Sequence, residues 1–197
     1  MKPILFNTEM VRAILDGRKS VTRRDPFQTP PDYDVLKGLY RDDKGRLCAL
    51  FQCRKDPTTE TAYARYDRGD VLWVRETWTT IPDGSYFYKA SVECPDAWKG
   101  TWRPSIHMPK EAARIFLQVK EVRVERLQEM TLKDTAMEGM DLRGPMFTKF
   151  VEVWNSTVPK HPNKFKRYPY YWEDNPWVWV ISFEWINRPT VEEKEKT

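Results

Sequence analysis

The stretch Gly17-Arg18-Lys19-Ser20-Val21-Thr22-Arg23-Arg24-Asp25 decides how this chain is read. A short helical pattern precedes it, and Gly17 suits the left-handed position just past a helix end. Extended backbone follows from Ser20 to Thr22, because branching at Cβ stiffens side chains in a way that favours strands. Alternation along a strand puts Ser20, Thr22 and Arg24 on one face, with Lys19, Val21 and Arg23 on the other. At the strand entrance the pleat is not yet regular, and Lys19 and Thr22 can converge on one pocket. An ammonium beside a hydroxyl either holds an anion or, where burial lowers its pKa, takes the hydroxyl proton. A basic surface turn is the alternative reading of the same residues.

Upstream, Pro3–Phe6 is apolar and extended. Asn7 or Thr8 caps a helix running to about Asp16, with Met10, Val11, Ile14 and Leu15 on its inner face. Downstream, Pro26–Asp34 reads as loop, and Gly38–Tyr40 and Leu47–Cys53 as two short strands around Asp42-Asp43-Lys44-Gly45. Asp56–Arg68 reads as irregular. Val71–Trp78 is a strong strand pattern, with Tyr86–Ala90 as its hairpin partner across Pro82-Asp83-Gly84. Ala112–Leu127 holds a long alternating strand whose face slips by one residue near Lys120-Glu121, the signature of a bulge.

Thr131 opens a helix over about Leu132–Glu138 that stops at Gly139. Pro145 opens another, carrying Phe147, Phe150, Val151 and Trp154. Asn155–Asp174 is a basic and aromatic loop. Trp177–Trp185 is apolar on both faces, which predicts a central strand lying near the first. These elements give an α+β fold built on a small mixed β-barrel with short flanking helices.

The 197 residues, 40% hydrophobic with nine each of Trp, Tyr and Phe, suffice for the core of one domain. A formal charge of +4 is compatible with a polyanion partner without requiring one. No apolar run approaches a membrane span, and the start of the chain is too soon polar for a signal peptide, so a cytoplasmic protein is expected. Cys48, Cys53 and Cys94 lack framework spacing and read as reduced thiols; with no C-x-x-C or H-x-x-x-H pair, neither metal nor cofactor is expected.

The order of helix, Gly-Arg-Lys-Ser-Val-Thr-Arg-Arg, Gly-Asp-Val-Leu-Trp-Val-Arg-Glu, long strand and Ala-Met-Glu-Gly resembles the ASCH domain family. Those proteins are PUA-like β-barrels associated with RNA and modified nucleosides. The Trp102-Arg103-Pro104-Ser105-Ile106-His107-Met108-Pro109 segment and Asn175-Pro176-Trp177-Val178-Trp179-Val180 look most like the longer ASCH proteins of phages and prophages. The resemblance implies one domain over residues 1–186, an insertion at about 26–68, and a charged, disordered tail at 187–197. It also implies RNA or a modified nucleoside as partner.

A small bacterial branch of that family hydrolyses N4-acetylcytidine with a Lys, a Thr three residues later and a distant Glu. The resemblance assigns these roles to Lys19 as base, Thr22 as nucleophile and Glu138 as acid. Where that branch has an aliphatic residue after the Thr, this chain has Arg23 and then Arg24.

Several residues keep two readings. Lys19 is a base, or stays charged and contacts a phosphate. Glu138 is an acid near a helix C-terminus, where the dipole disfavours its charge, or an exposed helix residue. Glu76 is a second pocket carboxylate, or pairs with an arginine of the key stretch. Arg18, Arg23 and Arg24 are candidates for contacting substrate or nucleic acid. Trp102 and Tyr170 are candidates for stacking on bases, and Lys164 and Arg167 for meeting phosphates. Trp177 and Trp179 are expected in the core. Three functions follow: recognition of RNA or a modified nucleoside, amide hydrolysis on N4-acylated cytidine, and a non-catalytic phage accessory protein that binds a host protein or nucleic acid.

Overall fold

A computed structural model describes residues 1–24, 32–91, 100–141, 143–158 and 170–189. It is a mixed α+β fold dominated by sheet. Strand β1 (Lys2–Leu5) leads into helix α1 (Thr8–Leu15), and the side chain of Asn7 accepts from the Met10 amide at 2.8 Å as its cap. Gly17 follows at φ 70°, the left-handed exit its sequence position calls for. The chain then enters β2 (Val21–Arg24). Next come β3 (Tyr33–Arg41), β4 (Leu47–Cys53) and β5 (Thr59–Tyr63), then β6 (Val71–Arg75) and the short pair β7 (Trp78–Thr80) and β8 (Tyr86–Tyr88). The long β9 (Phe116–Arg126), helices α2 (Leu132–Met137) and α3 (Met146–Thr157), and β10 (Trp177–Ile186) complete the order.

Five strands form the main sheet in the order β1-β6-β9-β10-β2, with β1 parallel to β6 and the other neighbours antiparallel. Its edges are β1 and β2, and no ladder among the described residues joins them. β3, β4 and β5 make a separate three-stranded sheet. The last strand therefore does not pair with the first: β6 and β9 lie between them. They meet through side chains instead, with the Phe6 and Phe183 rings 6.1 Å apart.

Both faces of β10 are covered. Val178 and Val180 pack with Phe150 and Trp154 of α3, while Ile181 and Phe183 pack with Val11 and Ile14 of α1. Trp179 meets Phe51 of the three-stranded sheet. Only the far end, at Glu184 and Trp185, opens to solvent. Trp177, expected in the core, is half-buried; its indole N–H donates to the Asp34 carbonyl at 2.6 Å. The β9–β10 register shifts between Ser182 and Phe183, leaving Lys120 as the extra residue. That bulge keeps Leu117, Val119, Val122 and Val124 on apolar neighbours despite the slip in alternation.

Two sequence readings need correction. Thr59–Tyr63, read as irregular, is a strand whose one buried residue is Ala62, too little pattern to detect. Val71–Trp78, read as one strand, is two. It breaks at Glu76, whose backbone N–H turns to the Met108 sulfur at 3.2 Å, and only the second piece pairs with β8.

This packing predicts a contrast. Leu117→Ala, at a fully buried position in the main sheet, should lower unfolding free energy by about 2–5 kcal/mol. Trp185→Ala, at the exposed end of β10, should lie within about 1 kcal/mol of the parent in the same urea titration.

Candidate active site

The site is built on the free edge of β2. The Phe183 amide donates to the Ser20 carbonyl at 2.9 Å, so by antiparallel alternation the backbones of Thr22 and Arg24 face β10. The Val21 carbonyl and the Arg23 amide consequently point away from the sheet, where an edge strand would leave them unpaired. Two side chains take them. The Lys19 ammonium donates to Val21 O at 2.8 Å, and Glu138 Oε1 accepts from Arg23 N at 2.7 Å.

Lys19 and Glu138 also hold each other, with Nζ 2.6 Å from Oε2 and 2.9 Å from the Glu138 carbonyl. Both side chains are almost wholly out of water. The peptide units on either side of Thr22 are thus clamped by one buried ion pair.

Local sequence explains how two residues so far apart meet. The Lys19 amide bonds the Ala13 carbonyl at 2.9 Å, tying it to the end of α1, and the Ser20 amide bonds Met137 O at 2.9 Å. Thr131 caps α2 reciprocally with Asp134, fixing where that helix starts and so where Glu138 falls. Gly139 sits at φ +88°, and a Cβ there would lie 2.6 Å from the Ala13 Cβ and 3.0 Å from the Lys19 Cβ. Only glycine permits this approach.

Around the pair the charges are uneven. Arg23 is buried and reaches Glu125 through Nε at 2.9 Å, and its Nη1 lies 3.3 Å from Glu138 Oε1. Burial pushes Lys19 below the ordinary lysine range; Glu138 opposes that shift, while Arg24 and Arg23 add to it. Three acceptors around Nζ nevertheless match the three protons of the charged form. The Phe6 ring lies beneath both cations, 5.5 Å from Lys19 Nζ and 5.0 Å from the Arg24 guanidinium carbon.

Against this edge lies a cavity of about 470 Å³, lined by Thr22, Arg23, Arg24 and Glu138. Apolar and aromatic walls come from Phe6, Tyr66, Trp154, Tyr170 and Trp179. Thr22 is buried, and its hydroxyl has no hydrogen-bond partner among the described residues. Lys19 itself does not line the cavity and acts on it only through Glu138 and the Val21–Thr22 peptide.

The other sequence candidates scatter. Arg18 is exposed, pairs with Asp16 at 2.7 Å, donates to Gly139 O at 2.8 Å and lines a different cavity. Glu76 is an ion-pair member, but its partner is Arg114, which grips both carboxylate oxygens at 2.8 and 2.9 Å, and not an arginine of the key stretch. Trp102 stacks on Phe87 at 5.9 Å and lines neither cavity. Tyr170 does line the site, and its carbonyl accepts from the Trp154 indole at 3.1 Å. Lys164 and Arg167 lie outside the described residues, as do Cys94 and the end of the tail from residue 190.

Sequence reading missed Tyr63, Arg65 and Tyr66, which line the cavity from the segment taken as irregular. Among the described residues no group of three or more His, Cys, Asp or Glu is arranged to hold a metal, and no helix is long and apolar enough to cross a membrane.

Fold and site together define a mixed α+β protein with a buried cation–carboxylate clamp behind an aromatic cavity. No family model matches the chain, and no curated protein matches it. Among solved structures it is similar to protein EF3133 from Enterococcus faecalis V583, described as family-model DUF984, at 9% identity. That match covers 96% of this chain and 84% of the other with a TM-score of 0.43, too loose a likeness to carry an argument.

The close approach at Gly139 yields a prediction. Gly139→Ala combines a left-handed backbone with a 2.6 Å collision against Ala13, and should destabilise by about 2–4 kcal/mol. Thermal unfolding checks it; an unchanged midpoint would mean that the Glu138 loop sits farther from Lys19.

Proposed function

We propose that the cavity recognises a modified nucleoside and hydrolyses its N-acyl amide, with N4-acylated cytidine as the substrate class. One observation carries this reading: a buried Lys19–Glu138 pair clamps both peptides flanking Thr22, whose unpaired hydroxyl lines a cavity with aromatic walls. The resemblance to N4-acetylcytidine amidohydrolases names the same three residues.

Moving one proton along the 2.6 Å Nζ–H···Oε2 contact turns the resting ammonium and carboxylate into an amine and a carboxylic acid. Those are the forms a base and an acid need, and burial lowers the barrier to reaching them by disfavouring the charged lysine. Thr22 Oγ attacks the acyl carbonyl carbon, and its proton reaches Lys19 through the Glu138 carboxyl, which takes it up on one oxygen as the other returns its proton to Nζ. The C–N bond breaks as Glu138 protonates the leaving amine, which restores the ion pair. Water then cleaves the acyl-threonine ester, releasing the acid and regenerating the hydroxyl.

A PUA-like barrel belongs to the same proposal. Its support is Arg24, whose Nη2 donates to the Leu5 carbonyl at 2.7 Å and so links the ends of the two edge strands β2 and β1. Recognition without turnover is the second reading, favoured by the three filled donor positions on Lys19, which stabilise the ammonium.

Incubation with N4-acetylcytidine, read by chromatography, separates the two readings. Cytidine should appear, and Thr22→Val, which keeps the side-chain shape, should slow its release at least about a thousandfold. The rate should hold level while the pair keeps its shared proton and fall as pH rises through the lowered pKa of Lys19, below the ordinary lysine value of 10.5, because the acid form of Glu138 is then lost. Binding of cytidine with no turnover at any pH would leave recognition alone.

A further inference from the structure

The nucleophile and its clamp leave one strong feature of the cavity without a task, the guanidinium of Arg24. Alternation places it on the same face of β2 as Thr22, opposite Trp179 of β10. Its Nη2 is spent on the Leu5 carbonyl, but its Nε is fully buried with no hydrogen-bond partner among the described residues. No carboxylate pairs with it among the described residues. Glu138, the acid that lines this cavity, is already held by Lys19 and by Arg23.

A second cation compounds the imbalance. Arg65 lines the same cavity, has no ion-pair partner among the described residues, and lies against the Tyr66 ring at 5.6 Å. Burial is the largest influence on Arg24 and pushes it below the ordinary guanidinium range; Tyr66 and Glu138 oppose that push, and Arg65 adds the smallest effect, in the same direction as burial. A half-buried guanidinium whose Nε–H is an orphan out of water, beside a like-charged neighbour, is unfavourable by itself. It becomes favourable when an anion of matching geometry enters. Guanidinium forks fit phosphate oxygens in two-point contacts, which a lysine cannot reproduce.

We propose that Arg24 and Arg65 form a phosphate subsite, and that the substrate is a nucleoside monophosphate and not the free nucleoside. The inference rests on the nucleoside reading for the rest of the ligand. The anion site itself rests on the unpaired arginines. Thr22 and Arg24 lie two residues apart on one face of β2, so base chemistry and phosphate capture occur at adjacent positions of one cavity.

Equilibrium binding of cytidine, cytidine 5′-monophosphate, inorganic phosphate and a six-residue oligoribonucleotide to the intact protein tests this without using turnover. The monophosphate should bind at least about tenfold more tightly than cytidine at low salt, and the advantage should shrink as ionic strength rises. Inorganic phosphate should compete with it. Arg24→Gln, which can still donate to Leu5 O, should abolish the advantage. Arg65→Ala changes an exposed side chain, leaves folding intact and should reduce the advantage severalfold.

Equal binding of cytidine and its monophosphate would overturn the proposal, as would a preference that both variants leave untouched. Binding of the oligoribonucleotide alone would overturn it too, by placing the phosphate in a chain. Arg24-dependent monophosphate binding with no hydrolysis would refute the amidohydrolase and leave this inference standing. Hydrolysis of N4-acetylcytidine with no monophosphate preference would do the reverse.

Discussion

The architecture around the site depends on the buried ion pair between Lys19 and Glu138. An edge strand leaves alternate backbone groups without partners, and burying such groups unpaired costs about 1–3 kcal/mol apiece. Here the pair closes the β2 edge with side chains where another strand would normally sit. The pair is tolerated in turn because those backbone groups supply its remaining hydrogen bonds. A buried charge pair that is only half satisfied is a liability; this one has its donors and acceptors matched.

That solution has a consequence for chemistry. The edge of β2 is capped without a neighbouring strand, so the face carrying Thr22 and Arg24 stays open to a cavity and is not covered by sheet. The helices contribute placement. α1 ends where Lys19 must begin, and α2 ends where Glu138 must stop, with Gly139 allowing the two loops to touch. Aromatic rings of Phe6 just after β1, Trp154 of α3 and Trp179 of β10 then form walls, giving a ligand-sized space.

How much of this was legible in the sequence depended on whether the information was local. Helix α1, its Asn7 cap, the Gly17 exit, the Lys120 bulge and the Thr131–Gly139 helix follow from periodicity and capping, which act over a few residues. The sharing of a face by Thr22 and Arg24 follows from strand alternation. Glu138 did not follow from any spacing: it lies 119 residues from Lys19, and only the family resemblance paired them. The Glu76–Arg114 pair was illegible for the same reason, since it depends on the chain meeting itself across the β6–β9 neighbourhood. Capping of a strand edge by side chains that include a distant one leaves no such signature. Neither does a strand such as Thr59–Tyr63, which buries a single alanine and yet leads directly into Arg65 and Tyr66 at the cavity.

The central claim is that Lys19 and Glu138 act as one unit that holds the β2 edge. A double-mutant cycle with Lys19→Met, Glu138→Gln and the pair, measured by urea unfolding, tests it most directly. Each single change should destabilise by about 3–5 kcal/mol, since it strands a buried partner. The double variant should recover at least about 2 kcal/mol of their sum. Losses that add to within about 0.5 kcal/mol would contradict the account, because two independent side chains could not be the clamp on which the site is built.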